Sequence, residues 1–297
     1  MTYFIPFLIL LISLSLNSSS LLIQASSNNT PSPIKGSSSL LSTDIWIDSL
    51  ISFSSSSLKL LIHGQECDYS GNYKISDLMS KLSDLATINA KEIEIWNEKI
   101  AKDYTFVLTK ETIILKRPIK SNELINLYTR ASGYKRIQFS RNYWVEDENK
   151  EEIAAIYSVW TLIDIQKRRI IKPDKAGIKM PEIISYPYTL DNFHEIKDNL
   201  ELSLVMERTV LYSDVDINQH FNNSKYIEWA FDVMPIEFFK DHYFKEISVI
   251  FKKEMIPNAK AKIYRFIDDN YVKIVFKSSD DSIVYFEFGG YIGDIDY

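Results

Sequence analysis

The sequence predicts an α+β fold in which a helix lies against a bent antiparallel sheet, and it predicts that unit twice. One helix-periodic stretch, Ile75 to Trp96, is followed by four strand-like stretches. A second, from about Ser224 to Phe239, is followed by four more. Each helix is preceded by a polar loop, "CDYSGNYK" in one half and "SDVDINQHFNN" in the other. A helix has one apolar stripe and such a sheet one apolar face, so the two close a core on each other.

The elements follow in order. Residues 1–57 hold the apolar run "FIPFLILLISLSL" and then serine-rich stretches, a composition that cannot build a core. Three readings stand for this extension: a secretory signal with a linker, an organellar transit segment, or a start assigned too far upstream. The first repeat is expected over 58–180. Leu78, Met79, Leu82, Leu85 and Ala86 fall at helical spacing. The strands "TFVLTKETIILKR", "NELINLYTRAS", "RIQFSRNYWVED" and "AAIYSVWTLIDI" are rich in β-branched and aromatic residues, and "EDENKEE" is a solvated hairpin turn. The proline-bearing run before "DNF" places a linker at 181–200. The second repeat, 201–297, opens with "ELSLVMERTVLY" and places its four strands after the second helix. Shifting the first half by 146 sets Asp68 on Asp214, Asn72 on Asn218 and Lys74 on His220. The first loop then reads as a decayed copy that lacks the histidine.

Composition narrows the function. The chain has 297 residues, 45% apolar and 25% charged, with a net charge of −6. That is the make-up of a globular protein, and no basic arm points to nucleic acid. Cys67 is the single cysteine, so neither an internal disulfide nor a thiolate zinc site is expected. His63, His194 and His242 read as surface or packing residues. No metal and no cofactor is expected.

The cluster from Ser213 to Asn223 carries the chemistry. Asp216, Asn218 and His220 stand at i, i+2 and i+4, which in an extended loop aims them to one side. With no serine or cysteine among them, the triplet suits general-base attack by water rather than a covalent route. A second carboxylate is wanted, and Glu254 in "FKKEMIP" is the candidate. Asn222 and Asn223 suit a helix N-cap, whose free N–H groups would stabilise a developing oxyanion. A polar loop that only caps a helix has the same composition, and the residues alone leave both readings open.

"DVDINQHFNNSKYIEW" resembles the D-x-N-x-H-x-N-N-x-x-Y-x-x-W signature of the acyl-acyl carrier protein (ACP) thioesterases, bacterial relatives of the plant plastid enzymes. More loosely, "WTLIDIQKRRIIKP" resembles their W-x-x-x-D/N-x-x-x-R-x-x-x-x-P run, and the resemblance spans about Leu58 to Gly293. It implies a double hotdog fold. It implies hydrolysis of the thioester between a fatty acyl chain and the phosphopantetheine arm of ACP. Catalytic positions transfer to Asp216, Asn218, His220 and Glu254, the last from a segment in which the neighbouring cysteine is here Met255. The implied roles are water activation by His220 and Glu254, carbonyl polarisation by Asn218 with the helix N–H groups, and loop support by Asp216. Which of His220 and Glu254 takes the proton stays open. The first-half helix and sheet, with Met79, Leu82 and Ala86, would wall the acyl chain. "LKRPIK" and "FKKEM" would flank an entrance for the acidic carrier. No membrane is expected for the mature domain, and a homodimer stays open. The expected location is cytoplasmic, or plastidic if the extension is a transit segment. The rivals are a hotdog acyl-CoA thioesterase and a non-catalytic acyl-thioester sensor.

Overall fold

The computed structural model describes residues 55–179 and 192–295. Residues 1–54 of the extension and most of the expected linker lie outside them. Strand β1 (Ser55–Leu61) begins the described chain and leads through a 3₁₀ turn (Gly64–Glu66) and a loop into the first long helix, Ile75–Glu92. After a single-turn helix come β2 (Tyr104–Leu115), β3 (Leu124–Lys135), β4 (Gln138–Glu146), β5 (Glu152–Asp164) and the short β6 (Arg169–Ile170). The second half repeats this with β7 (Ser203–Thr209), a 3₁₀ turn (Tyr212–Asp214) and a long helix, Asn223–Asp232. Then follow β8 (His242–Phe251), β9 (Lys260–Ile267), β10 (Tyr271–Ser278) and β11 (Val284–Asp294).

All pairings are antiparallel and make one sheet in the order β1-β3-β4-β5-β2-β8-β11-β10-β9-β7, with β6 beside β5. The order reads alike from both ends, which is the mark of two hotdog units joined edge to edge. The seam is the β2–β8 pair. There Thr112 lies opposite Ser248, with their hydroxyl oxygens 3.0 Å apart. Both long helices cover one face of the sheet and touch each other. Leu78, Leu82 and Leu85 of the first helix and Ile227, Trp229 and Ala230 of the second share one buried cluster with Ile113 and Ile247 at the seam. Burial of such side chains contributes about 1.5–3 kcal/mol each. That shared core holds the two halves together.

The other face carries a strap. His194 N–H donates to Thr112 Oγ1 (3.0 Å), Lys197 N–H donates to the Tyr271 hydroxyl (3.1 Å), and Lys273 pairs with Asp198 (3.0 Å). Residues 194–198 thus run from the seam toward β10.

Three differences from the sequence-based expectation have physical reasons. Ser55–Ser57, assigned to the extension, pair with Arg130–Tyr128 in β1, because a strand can use serine where its neighbours are polar. The second helix stops at Asp232 rather than near Phe239, because Pro235 lacks an N–H to continue it. The repeat offset is not 146. Asp68 stands where Asp216 stands (216 minus 68, an offset of 148), since each accepts the N–H groups two and four residues on. Ile119 stands where Met255 stands (255 minus 119, an offset of 136), since each carbonyl takes the N–H of the residue before the helix-start pair, Tyr73 or Phe221. The first helix region is longer by the difference, so no single shift aligns both parts.

Candidate active site

The second polar loop is a tight turn rather than an extended segment. Asp216 N–H donates to the His220 carbonyl (2.8 Å), and Gln219 N–H donates to the Asp216 carbonyl (3.0 Å). Gln219 sits in the left-handed region at φ 64°, and Gly71 occupies the same place in the first loop at φ 76°. The Asp216 carboxylate closes the turn. Its Oδ1 accepts the N–H groups of Asn218 (2.9 Å) and His220 (3.1 Å), and its Oδ2 accepts from Asn218 Nδ2 (3.3 Å). Charge-assisted bonds of this kind are the stronger ones in proteins. Asp216 therefore shapes the loop, and Asn218 is exposed with its amide turned onto Asp216.

His220 projects from the end of this turn toward Glu254. Its Nε2 lies 3.6 Å from Glu254 Oε2, with His220 half-buried and Glu254 exposed. That is ion-pairing distance, too long for a direct hydrogen bond. Glu254 follows β8, and its place is fixed from below. The Tyr226 hydroxyl accepts the N–H of Met255 (3.0 Å), and Phe221 N–H donates to the Met255 carbonyl (3.0 Å). Burial pushes the Tyr226 phenol well above its ordinary range, which keeps it neutral in that role. Asn222 is the N-cap, accepting from Ser224 N–H at 3.0 Å. The four expected residues are thus brought into one loop and its facing turn.

Two participants escaped the sequence reading. Tyr226 is the tyrosine of the signature run, and it supports Met255 from the helix. Arg168, from the β5–β6 turn of the first half, reaches Glu254 Oε2 with Nη2 at 3.3 Å. The signal for it was present, since Arg168 is the arginine of the W-x-x-x-D-x-x-x-R-x-x-x-x-P run. The first loop keeps only part of the set. Ser70 stands at the place of Asn218, Asn72 at His220 and Pro118 at Glu254, while Asp68 repeats Asp216. "LKRPIK" borders this first loop, where Lys120 Nζ donates to Asn72 Oδ1 at 2.6 Å. Among the described residues no group of three His, Cys, Asp or Glu side chains is arranged to hold a metal ion.

Comparison with known proteins decides the family. Residues 56–176 match the acyl-ACP thioesterase N-terminal domain, and residues 197–282 match the acyl-ACP thioesterase C-terminal domain. The chain belongs to the acyl-ACP thioesterase family. Within that family it is 25% identical over 198 residues to the chloroplastic acyl-(acyl-carrier-protein) hydrolase FATB1 of Cuphea viscosissima, covering 61% of this chain and 46% of that protein. It is 23% identical over 169 residues to the chloroplastic palmitoyl-acyl carrier protein thioesterase of Arabidopsis thaliana, covering 53% of this chain and 40% of that one. The chain thus spans under half the length of these curated relatives. Two solved structures share the fold. The acyl-ACP thioesterase of Bacteroides thetaiotaomicron has a TM-score of 0.67 at 21% identity, covering 80% of this chain and 98% of that one. The 12:0-ACP thioesterase of Umbellularia californica has a TM-score of 0.70 at 17% identity, covering 81% and 98%. Both match the double hotdog architecture of this acyl-ACP thioesterase family member. Among the described residues no helix is long and apolar enough to cross a membrane.

Proposed function

We propose that this chain hydrolyses the thioester of fatty acyl-ACP, releasing the free fatty acid and holo-ACP. The observation that carries the reading is the facing pair His220 and Glu254, 3.6 Å apart, on a loop that Asp216 pins. One water held between imidazole and carboxylate would be oriented by both and deprotonated by one. In unliganded enzymes such contacts are often long and tighten when substrate binds. The Asn218 amide, released from Asp216, would join the N–H groups at the helix start in polarising the thioester carbonyl. Arg168 Nη2 meets the same Oε2 of Glu254 that faces His220, which ties that oxygen to the His220 side. Met255 replaces the neighbouring cysteine and is buried, which leaves water as the nucleophile.

The surroundings suit a large acidic partner carrying a flexible arm. Tyr212, Ile217 and Ile256 are exposed beside the loop, and Arg168 and Lys253 add positive charge on the same rim. The second repeat supplies the reacting groups and the first supplies Arg168 and an interior for the chain. The domain reading follows: an N-terminal extension, a first repeat, a linker, and a reacting second repeat. A cytoplasmic or plastidic location is the setting in which ACP would be met.

The test is free-thiol release from a panel of acyl-ACPs beside acyl-CoAs. Wild-type protein should cleave the carrier-linked panel faster. General-base catalysis is worth about 10²- to 10⁴-fold, so His220→Ala should lose on that order while its circular dichroism stays native. A loss under about threefold in a folded variant would remove His220 from the mechanism.

A further inference from the structure

The sheet face under the first long helix carries a polar stripe where apolar residues are expected. Strand register sets Arg141 beside Ser158 and Ser158 beside Glu111. Arg141 alternates with Tyr143 and Val145 of the core, and Glu111 alternates with Ile113 and Leu115, so both point inward. Arg141 is 6% exposed. Its Nη1 donates to Asn89 Oδ1 of the helix (2.7 Å) and to Thr129 Oγ1 (3.0 Å), both neutral partners. Trp160 Nε1 donates to Ser158 Oγ at 2.7 Å. Glu111 is 3% exposed, and its Oε2 has no hydrogen-bond partner among the described residues. Burial alone pushes its carboxyl up to about 8, so at neutral pH it is mostly an uncharged acid. Such an acid has one O–H to donate and oxygens that accept. Folded chains rarely leave a buried polar group unsatisfied, and a group that stays so asks for a partner.

The stripe separates two apolar clusters. One, with Ile100, Phe139, Leu162 and Ile178, lies toward the β5–β6 turn that brings Arg168 to Glu254. The larger, with Met79, Leu82 and Ala86, lies beyond it. Glu111 pairs with Val249, and Val249 precedes Glu254 by five residues, so Glu111 lies within roughly 21 Å of Glu254 at ~3.3 Å per residue along the chain and ~4.8 Å between paired strands.

We propose that Glu111, Ser158 and Arg141 form the floor of the acyl pocket and hydrogen-bond a hydroxyl or oxo oxygen carried on the acyl chain. This rests on the thioesterase reading and names its substrate class. Plain alkyl chains end above the floor, since methylene against Glu111 leaves its carboxyl unpaired. Chains with oxygen at that depth are preferred.

The experiment measures binding of free ω-hydroxy acids, from octanoate to hexadecanoate, each beside its plain counterpart, to the full chain by calorimetry. Hydrolysis of the matching acyl-ACPs is followed in parallel. At one length in the series the hydroxy acid should bind at least about tenfold tighter, the worth of one good hydrogen bond. Glu111→Leu should abolish that preference and extend binding to longer plain acids. Glu111→Gln, which keeps a donor and an acceptor, should retain part of it. No hydroxy preference at any length, no binding of either series, or an unchanged preference in folded Glu111→Leu each overturns the proposal. Preferential binding without hydrolysis would sink the thioesterase reading and leave the floor standing.

Discussion

Glu111 also makes a prediction that needs no ligand. Its carboxyl is moved from the usual 4.5 to about 8 by burial. The folded state therefore holds a proton that the unfolded chain releases. Below pH 4.5 both states are protonated and no stability is lost. Above it the unfolded chain ionises while the fold does not, and stability falls by about 1.4 kcal/mol per pH unit. The fall ends near pH 8, where the folded carboxyl ionises too. The whole loss is on the order of 5 kcal/mol, a large fraction of a domain's stability. Glu111→Gln keeps the shape and removes the titration. Urea unfolding of both proteins across pH 5 to 9 measures the difference between them. That difference should grow in favour of the variant up to about pH 8 and then level. A difference that stays constant across the range would refute the reasoning, because the carboxyl would then be ionising alike in both states.

Two further predictions concern the loop. Asp216→Ala removes the acceptor of two backbone N–H groups, so thiol release should fall by at least tenfold, while urea unfolding should show a loss of only about 1–3 kcal/mol. Asp216→Asn should recover most of the activity, since an amide oxygen accepts the same two bonds. Arg168→Ala breaks an exposed ion pair worth under about 1 kcal/mol, so thiol release should fall less than about fivefold, and less still in high salt. A hundredfold loss would show the guanidinium touching substrate.

Much of this was legible in the residues. The spacing of Leu78, Met79, Leu82, Leu85 and Ala86 marked the helix because a helix buries what recurs every three to four residues, and all five are buried. Asn222 caps as expected because its short side chain reaches the second amide on. Two things were hidden. The loop's shape depends on one carboxylate collecting two backbone amides, which composition does not state. The pairing of the halves depends on two different offsets, so sliding one half along the other by a single step misplaced His220 against Lys74 instead of Asn72. Glu111 could have been found. It shares the parity of Ile113 and Leu115 in "ETIIL", so a charged residue on the inward side was already implied.

The seam at Thr112 and Ser248 has a consequence for how such a protein can change. In a pair of identical subunits every substitution appears twice, at both mouths. Here the two halves are separate stretches of one chain, so each substitution is made once. Under the proposed activity, the half that would wall the acyl chain and the loop that would cut it can be altered independently. The first loop carries Asn72 where the second carries His220, and both keep the same aspartate-closed turn. For the engineer, the natural unit of exchange is the half-chain, and the β2–β8 ladder is the joint that any exchange has to match.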